Sequence, residues 1–275
     1  MTVSETTGGR TPAAGDTGKG AGVPEPPWRR PARVAARRTP LSRNALVEAA
    51  LRVLDRDGLE SLSMRRLGEE LGTGAASLYW HVGNKDELLE LVLDRVIGEI
   101  DLPALGPARW EEQLKDLFRR ARQVLKRHGQ VARISLGRIP VGPHALEVME
   151  WQFALLREAG LPDPVVAHAG DILALYLGAY AFEESLGLTP PGGAEMPPEQ
   201  AVEMIGGYFA SLPPDRFPNV VALAGNGALM SGGPDERFEF GLDLLVRGLA
   251  AHAPKRASKG ASRARRARTA PTSAP

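Results

Sequence analysis

The chain has 275 residues, 43% of them apolar, which suits a packed core and excludes disorder over most of the length. It has no cysteine, so disulfides, thiolate zinc sites and cysteine nucleophiles are excluded. The net charge of +1 hides an asymmetry: residues 1–43 carry eight basic and three acidic side chains, residues 255–275 seven basic and none acidic, and the stretch between them sums to −11.

Residues 1–27 are rich in Gly, Pro, Thr and Ala without apolar periodicity, and residues 1–41 as a whole are expected to form a disordered basic arm. Residues 255–275 are expected to form a similar tail. Runs such as Arg29-Arg30-Pro-Ala-Arg33 and Arg37-Arg38 suit phosphate tracking, and equally suit a solvated tail. No run of about 18 apolar residues and no N-terminal hydrophobic segment is present, so a cytoplasmic protein without a membrane partner is expected.

Between the arms almost every segment has helical period. Leu46, Ala49, Ala50, Val53 and Leu54 form one stripe over Asn44–Arg56, with Ser42 as N-cap and Gly58 as stop. Ser63 caps a short helix with Leu67 and Leu71. Gly72-Thr73-Gly74 turns into a third short helix over Ala75–His81. Asn84-Lys-Asp-Glu87 has capping-box form and opens a longer helix through Leu88, Leu91, Val92, Val96 and Ile97.

Further helices are predicted from Trp110 to Leu125, from His144 to Ala159 with Gly160 as stop, near Glu199–Leu212, and over Asp235–His252. Pro164–Leu186 is apolar on nearly every face, so burial on all sides is expected. Thr189–Pro198 reads as a Pro/Gly loop. No alternating strand is evident. The fold class is all-α: a helix-turn-helix domain over residues 42–101 and a larger helical domain over residues 102–254.

Three short helices with a glycine turn between the second and third have the layout of a DNA-reading helix-turn-helix. A third helix of about seven residues is about 10 Å long and fits end-on in a major groove about 12 Å wide. With Leu78 and Val82 inward, Ala75, Ala76, Ser77, Trp80 and His81 face the groove. The spacing alone is shared by many small helical bundles.

The residues are more specific. Leu62-Ser-Met-Arg-Arg-Leu-Gly-Glu-Glu-Leu-Gly, then Ala76-Ser-Leu-Tyr-Trp-His-Val and Asn84-Lys-Asp-Glu-Leu-Leu, resemble the TetR family of regulators. The pattern of Leu78, Tyr79, His81 and Lys85 is specific to that family, and Leu78-Tyr-Trp-His-Val82 with Asn84-Lys85, then Trp110, Ser135-Leu-Gly-Arg-Ile-Pro140 and Phe238-Glu-Phe-Gly-Leu242, resembles its tetracycline-repressor subgroup. The resemblance covers about residues 42–250. It implies a homodimeric transcriptional regulator, released from a palindromic double-stranded DNA operator by a small-molecule effector, with no cofactor. Pro164–Leu186 and Asp235–His252 would supply the dimer interface, and the helix after Asn84 would be the lever between reading head and effector.

By the same resemblance Arg65 reads guanine, Ala75, Ala76 and Ser77 occupy base-reading positions, and Tyr79, His81 and Lys85 anchor phosphates. Trp80 packs on the sugar-phosphate wall, and Ser63 bonds a phosphate as well as capping its helix. Tyr79 and Trp80 also fit the plainer reading of core aromatics. Asp101, Leu117, Ser135, Arg138, Trp151 and Phe182 or Glu183 stand at effector-binding positions. There the subgroup's metal-binding histidine is Ser135 and its pocket glutamine is Trp151, while Arg138 adds a positive charge. No metal site and no magnesium–tetracycline are therefore expected, but a larger apolar or aromatic effector whose acidic group would meet Arg138.

Two other classes fit the sequence less well. An enzyme would need a catalytic constellation, yet no two of His81, His128, His144, His168 and His252 stand four residues apart, and no nucleophile or phosphate-loop motif is present. A nonspecific architectural DNA binder has no use for so much apolar helix beyond the head.

Overall fold

Ser42 begins the fold. In the computed structural model, which describes residues 41–136, 138–187 and 196–254, its Oγ accepts from the amide of Ala45 at 3.1 Å and starts α1 (Arg43–Asp57). Gly58 ends that helix at φ 82°, a left-handed conformation that favours glycine. Ser63 Oγ accepts from Arg66 N to start α2 (Met64–Glu70). Asn84 Oδ1 accepts from Glu87 N at 2.8 Å to start α4 (Lys85–Ile97). The capping box is offset by one: Glu87 Oε2 accepts from Gly83 N rather than from Asn84.

Between them α3 is only Ala75–Leu78, and His81 closes a following turn by donating to the Leu78 carbonyl. The expected seven-residue helix is thus shorter, because Tyr79 caps it. Gly68 is required here. A Cβ on it would lie 2.7 Å from the Thr73 carbonyl oxygen, and its own carbonyl accepts from Thr73 N at 2.8 Å.

The remaining helices are α5 (Trp110–Arg127), α6 (Gly129–Ser135), α7 (Pro143–Glu158), α8 (Asp163–Leu186), α9 (Pro198–Ala210), α10 (Pro218–Gly225) and α11 (Pro234–Ala250). Among the described residues there is no strand. The arms and the core of the Pro/Gly loop lie outside the described residues.

Two apolar cores hold the chain. The first joins Leu46, Leu54, Leu67, Leu78, Leu88 and Val92 of the head to Val131, Ile134 and Ala181 below it. The second packs Trp110, Leu117, Trp151, Leu155, Leu173 and Phe238. Each fully buried large side chain contributes about 1.5–3 kcal/mol relative to exposure.

Beside the second core lies a buried cation. The Arg122 guanidinium of α5 donates to Glu184 of α8 at 2.7 and 2.9 Å and to Asp235 of α11 at 2.7 Å. It stands 4.6 Å from the Phe238 ring centre and 5.5 Å from that of Tyr180. Arg122 holds the Asp235 carboxyl below its ordinary range through that hydrogen bond, and burial pushes the Tyr176 hydroxyl up to about 12.

The structure corrects the expectation for α8. Val166, Ala169, Leu173, Gly178 and Ala181 are buried, on the stripe that meets α5, α6, α7 and α11. The other side is open: Ile172 and Leu175 are 49% and 58% exposed, beside 68% for Phe240 and 55% for Leu244 of α11. Among the described residues α8 is the one helix long and apolar enough to cross a membrane, by length and composition alone, and its stripe from Val166 to Ala181 is packed into the body.

Candidate nucleic-acid interface and effector site

The head buries Leu78 and Val82 at 0% and 2%, which turns the rest of α3 outward. Ala76 and Ser77 are exposed, as are Tyr79 at 53% and Trp80 at 45%, so neither aromatic belongs to the core. Arg65, at the start of α2, is the most open cation of this face, 89% exposed and 3.7 Å from Glu69 one turn on. Ser63 is exposed, while His81 and Lys85 are half-buried at the edge of the same surface. Ala75 differs from expectation. It is partly buried against the head core, because the close turn at Gly68 draws its backbone inward.

A surface of this kind can do three things: a guanidinium can read a guanine edge, small side chains admit close approach to bases, and Tyr79, His81 and Lys85 can meet phosphates. Arg43, which the sequence reading passed over, braces it. Its Nε donates to the His81 carbonyl at 3.2 Å and its Nη2 lies 3.6 Å from Glu87, so α1 holds the end of the recognition turn.

The lever α4 is pinned at three places to the first turn of α7 and the segment before it. Arg138 Nη2 donates to Asp86 at 2.8 Å. Asp94, buried at 9%, accepts from Ala145 N at 3.0 Å, and thereby caps a helix whose own N-cap, Gly142, has no side chain to offer. Gly98 lies under His144, where a Cβ would come within 2.8 Å of the ring. The signal for this joint was present in the sequence: Gly142-Pro143 starts a helix without a local capping side chain, so its free amides need an acceptor from elsewhere.

A second brace lies at the other side of α4. His128 places Nδ1 3.0 Å from Asp55 of α1 and Nε2 3.3 Å from Glu99, which Arg127 also meets at 3.0 Å.

The effector-position residues do not converge on one spot. Leu117 and Trp151 share the second core, and Trp151 Nε1 donates to the Pro103 carbonyl at 2.7 Å. Ser135 abuts α8, where a Cβ on Gly178 would lie 3.4 Å from its Oγ, and Phe182, one turn further along α8, is partly buried. Asp101 is 85% exposed and paired with Arg120. Glu183 is 65% exposed and paired with Arg237, so Phe182 is the inward residue of the two. Arg138 is turned to Asp86 on the lever, 2.8 Å away.

An exposed recognition turn on a small helical head, tied by one lever helix to a larger helical body, defines the class of helix-turn-helix transcriptional regulators. Residues 46–92 match the model of bacterial regulatory proteins of the tetR family, and residues 102–253 the tetracyclin repressor-like C-terminal domain. ActR of Streptomyces coelicolor is 42% identical, with a TM-score of 0.71 over 80% of this chain and 100% of that one. It has also been solved in complex with actinorhodin, at 43% identity, a TM-score of 0.70 and the same coverage. An HTH-type transcriptional regulator of Saccharopolyspora erythraea is 33% identical over 88% of this chain and 98% of its own length. The class A tetracycline repressor from transposon 1721 of Escherichia coli is 30% identical over 77% and 92%. The chain belongs to the TetR family and is a ligand-responsive, DNA-binding transcriptional regulator.

Proposed function

We propose that the protein is a homodimeric repressor, not an enzyme, which leaves a palindromic operator when a small apolar or aromatic molecule enters its body. It works in the cytoplasm, where that DNA lies. The observation that carries this reading is the pairing of an exposed reading surface with a lever pinned to the effector-side helices at Asp86, Asp94 and Gly98. A molecule that binds better to a body with α4 displaced shifts the population away from DNA in proportion to that difference in affinity.

Within the head, Arg65 reads a base, Ala76 and Ser77 line the groove, with Ala75 behind them, and Ser63, Tyr79, Trp80, His81 and Lys85 hold the backbone. Lys85→Ala is expected to weaken binding to all sequences alike and to lower the salt slope by about one, whereas Arg65→Ala relaxes preference at one base pair. Binding isotherms on a set of single-base operator variants decide it. Equal losses on every variant for Arg65→Ala would remove the base-reading role.

The dimer rests on the open apolar face of α8 and α11, Ile172, Leu175, Phe240 and Leu244, which a second copy covers by twofold symmetry. Sedimentation velocity at micromolar protein should give twice the chain mass. A single-chain mass there would rule the dimer out.

For the effector, Leu117 and Trp151 of the second core and Phe182 of α8 offer apolar contact, Ser135 abuts α8 at Gly178, and Asp101 and Glu183 lie outside, each paired with an arginine. Such a lining favours a large apolar or aromatic molecule over a magnesium chelate, and the solved ActR–actinorhodin complex supports effector binding in a body of this kind. Release of operator by submicromolar magnesium–tetracycline would contradict this preference.

A further inference from the structure

His128 stands where head, lever and body meet. It follows the last residue of α5 and precedes α6, and its side chain is only 14% exposed. Its Nδ1 lies 3.0 Å from Asp55 Oδ2, in the last turn of α1, and its Nε2 lies 3.3 Å from Glu99 Oε2, just past the end of α4. The next turn ties the same corner. Gln130 Oε1 accepts from Leu59 N at 3.4 Å, and Arg133 lies 3.5 Å from Glu60. One side chain of the body thus touches the head and the end of the lever at once.

A neutral imidazole has one N–H and one lone pair. With a carboxylate at each nitrogen it donates to one and turns its lone pair to the other. Only the imidazolium donates to both. The charges around the ring are otherwise engaged. Arg95 of α4 is shared between Glu48 of α1 and Glu99, Arg127 of α5 meets Glu99, and Arg133 of α6 turns to Glu60. Glu184 of α8 is taken by Arg122 and Lys126. Burial by itself would raise the Glu99 carboxyl, yet hydrogen bonds from Arg127, His128 and Arg95 hold it below the ordinary range, so it stays an anion. Asp55 meets no cation other than His128 among the described residues. The tie between α1 and the lever at this corner therefore depends on the charge of one ring.

We propose that His128 is the positioning residue that fixes the reading head against the lever, and that it does so as the imidazolium, so that the head is held in mildly acid solution and loosened as the ring loses its proton. Histidine is the side chain whose charge changes between about pH 5 and pH 8. A head already held in place has less freedom to lose when it seats on an operator, so loss of the tie weakens binding without touching a base contact. This rests on the reading of α1, α2 and α3 as the DNA-binding head, and it concerns how that head is held rather than what it reads.

The test compares the full chain with His128→Gln and His128→Arg at about pH 6 and about pH 8. Glutamine keeps a donor but no charge, and arginine keeps a cation at every pH. Hydrogen exchange of the amides from Arg56 to Leu59, compared between proteins at equal pH, reads the tie without DNA. Wild type should be protected about fivefold or more over His128→Gln at the acid pH and hardly at all at the alkaline one, while His128→Arg keeps the protection at both. Affinity for a duplex selected by the full chain from a random pool should follow the same order. His81 on the reading face is common to all three proteins and cancels in their ratios. Equal protection of wild type and His128→Gln at the acid pH overturns the proposal, as does an affinity ratio that is flat with pH or runs the other way. If protection follows pH as stated but no protein prefers the selected duplex to random DNA, the reading head is misassigned and the tie has no part in DNA binding.

Discussion

Arg122→Leu is expected to lower the melting temperature by about 6–10 °C. The guanidinium is 5% exposed and its main partner Glu184 14%, so removal of the cation leaves a carboxylate poorly hydrated between α5 and α8. Loss of one partner from a buried pair costs about 3 kcal/mol or more, and in a protein of this size each kcal/mol moves the midpoint by about 2–4 °C. We take the low end because Asp235, the other partner, is 79% exposed and regains water. The double variant with Glu184→Leu should recover most of the loss, since two apolar side chains of similar volume replace the pair. The pH dependence has a definite sign. Asp235 has a folded-state carboxyl held below its ordinary value by Arg122, so its contribution is present above the ordinary carboxylate range and is lost as pH falls through the lowered value. In Arg122→Leu this acid-sensitive share should vanish. Scanning calorimetry at neutral and acidic pH reads both effects, and a midpoint within 2 °C of wild type would show that the knot adds little.

Gly142→Ala is expected to cut operator affinity at least tenfold. A Cβ on Gly142 would fall 2.1 Å from Asp94 Cγ and 2.2 Å from its Oδ1, and Asp94 is held by the buried amide of Ala145. To make room, either α7 retreats from α4 or Asp94 swings out and leaves that amide without an acceptor, at a cost of about 1–3 kcal/mol. Both outcomes act on the lever that orients Arg65, Ser77 and Tyr79. The double variant Gly142→Ala, Asp94→Ala removes the clash and should bind operator more tightly than Gly142→Ala alone. That rescue distinguishes displacement of the lever from general unfolding. Fluorescence anisotropy on a fixed operator fragment measures the series. An affinity for Gly142→Ala within twofold of wild type would show that the joint does not set the head.

Much of the fold was legible in short-range chemistry. Ser42, Ser63 and Asn84 each cap the helix that their position announces, and Gly58 and Gly160 stop theirs at φ 82° and 87°. These signals are local, because a cap and the amide it satisfies stand three residues apart. The short helices were harder. α6 spans seven residues and α10 eight, too few turns for a period to stand out, and among the described residues α10 buries none. The reading surface was legible in kind, since Leu78 and Val82 set which side of α3 faces inward. Ala75 was not, because its burial depends on a backbone approach across the turn at Gly68.

What the tertiary structure alone decided lies at long range. Periodicity marks α8 as apolar all round, but only packing separates the stripe that meets α5, α6, α7 and α11 from the face with Ile172 and Leu175 that is left for another copy. Arg138 finds Asp86 52 residues away, and Ala145 finds Asp94 at a separation of 51. No pattern along the chain links those positions. The amides at the start of α7 need an acceptor and the arginine needs an anion, and which groups answer is settled by which helices the two cores bring side by side.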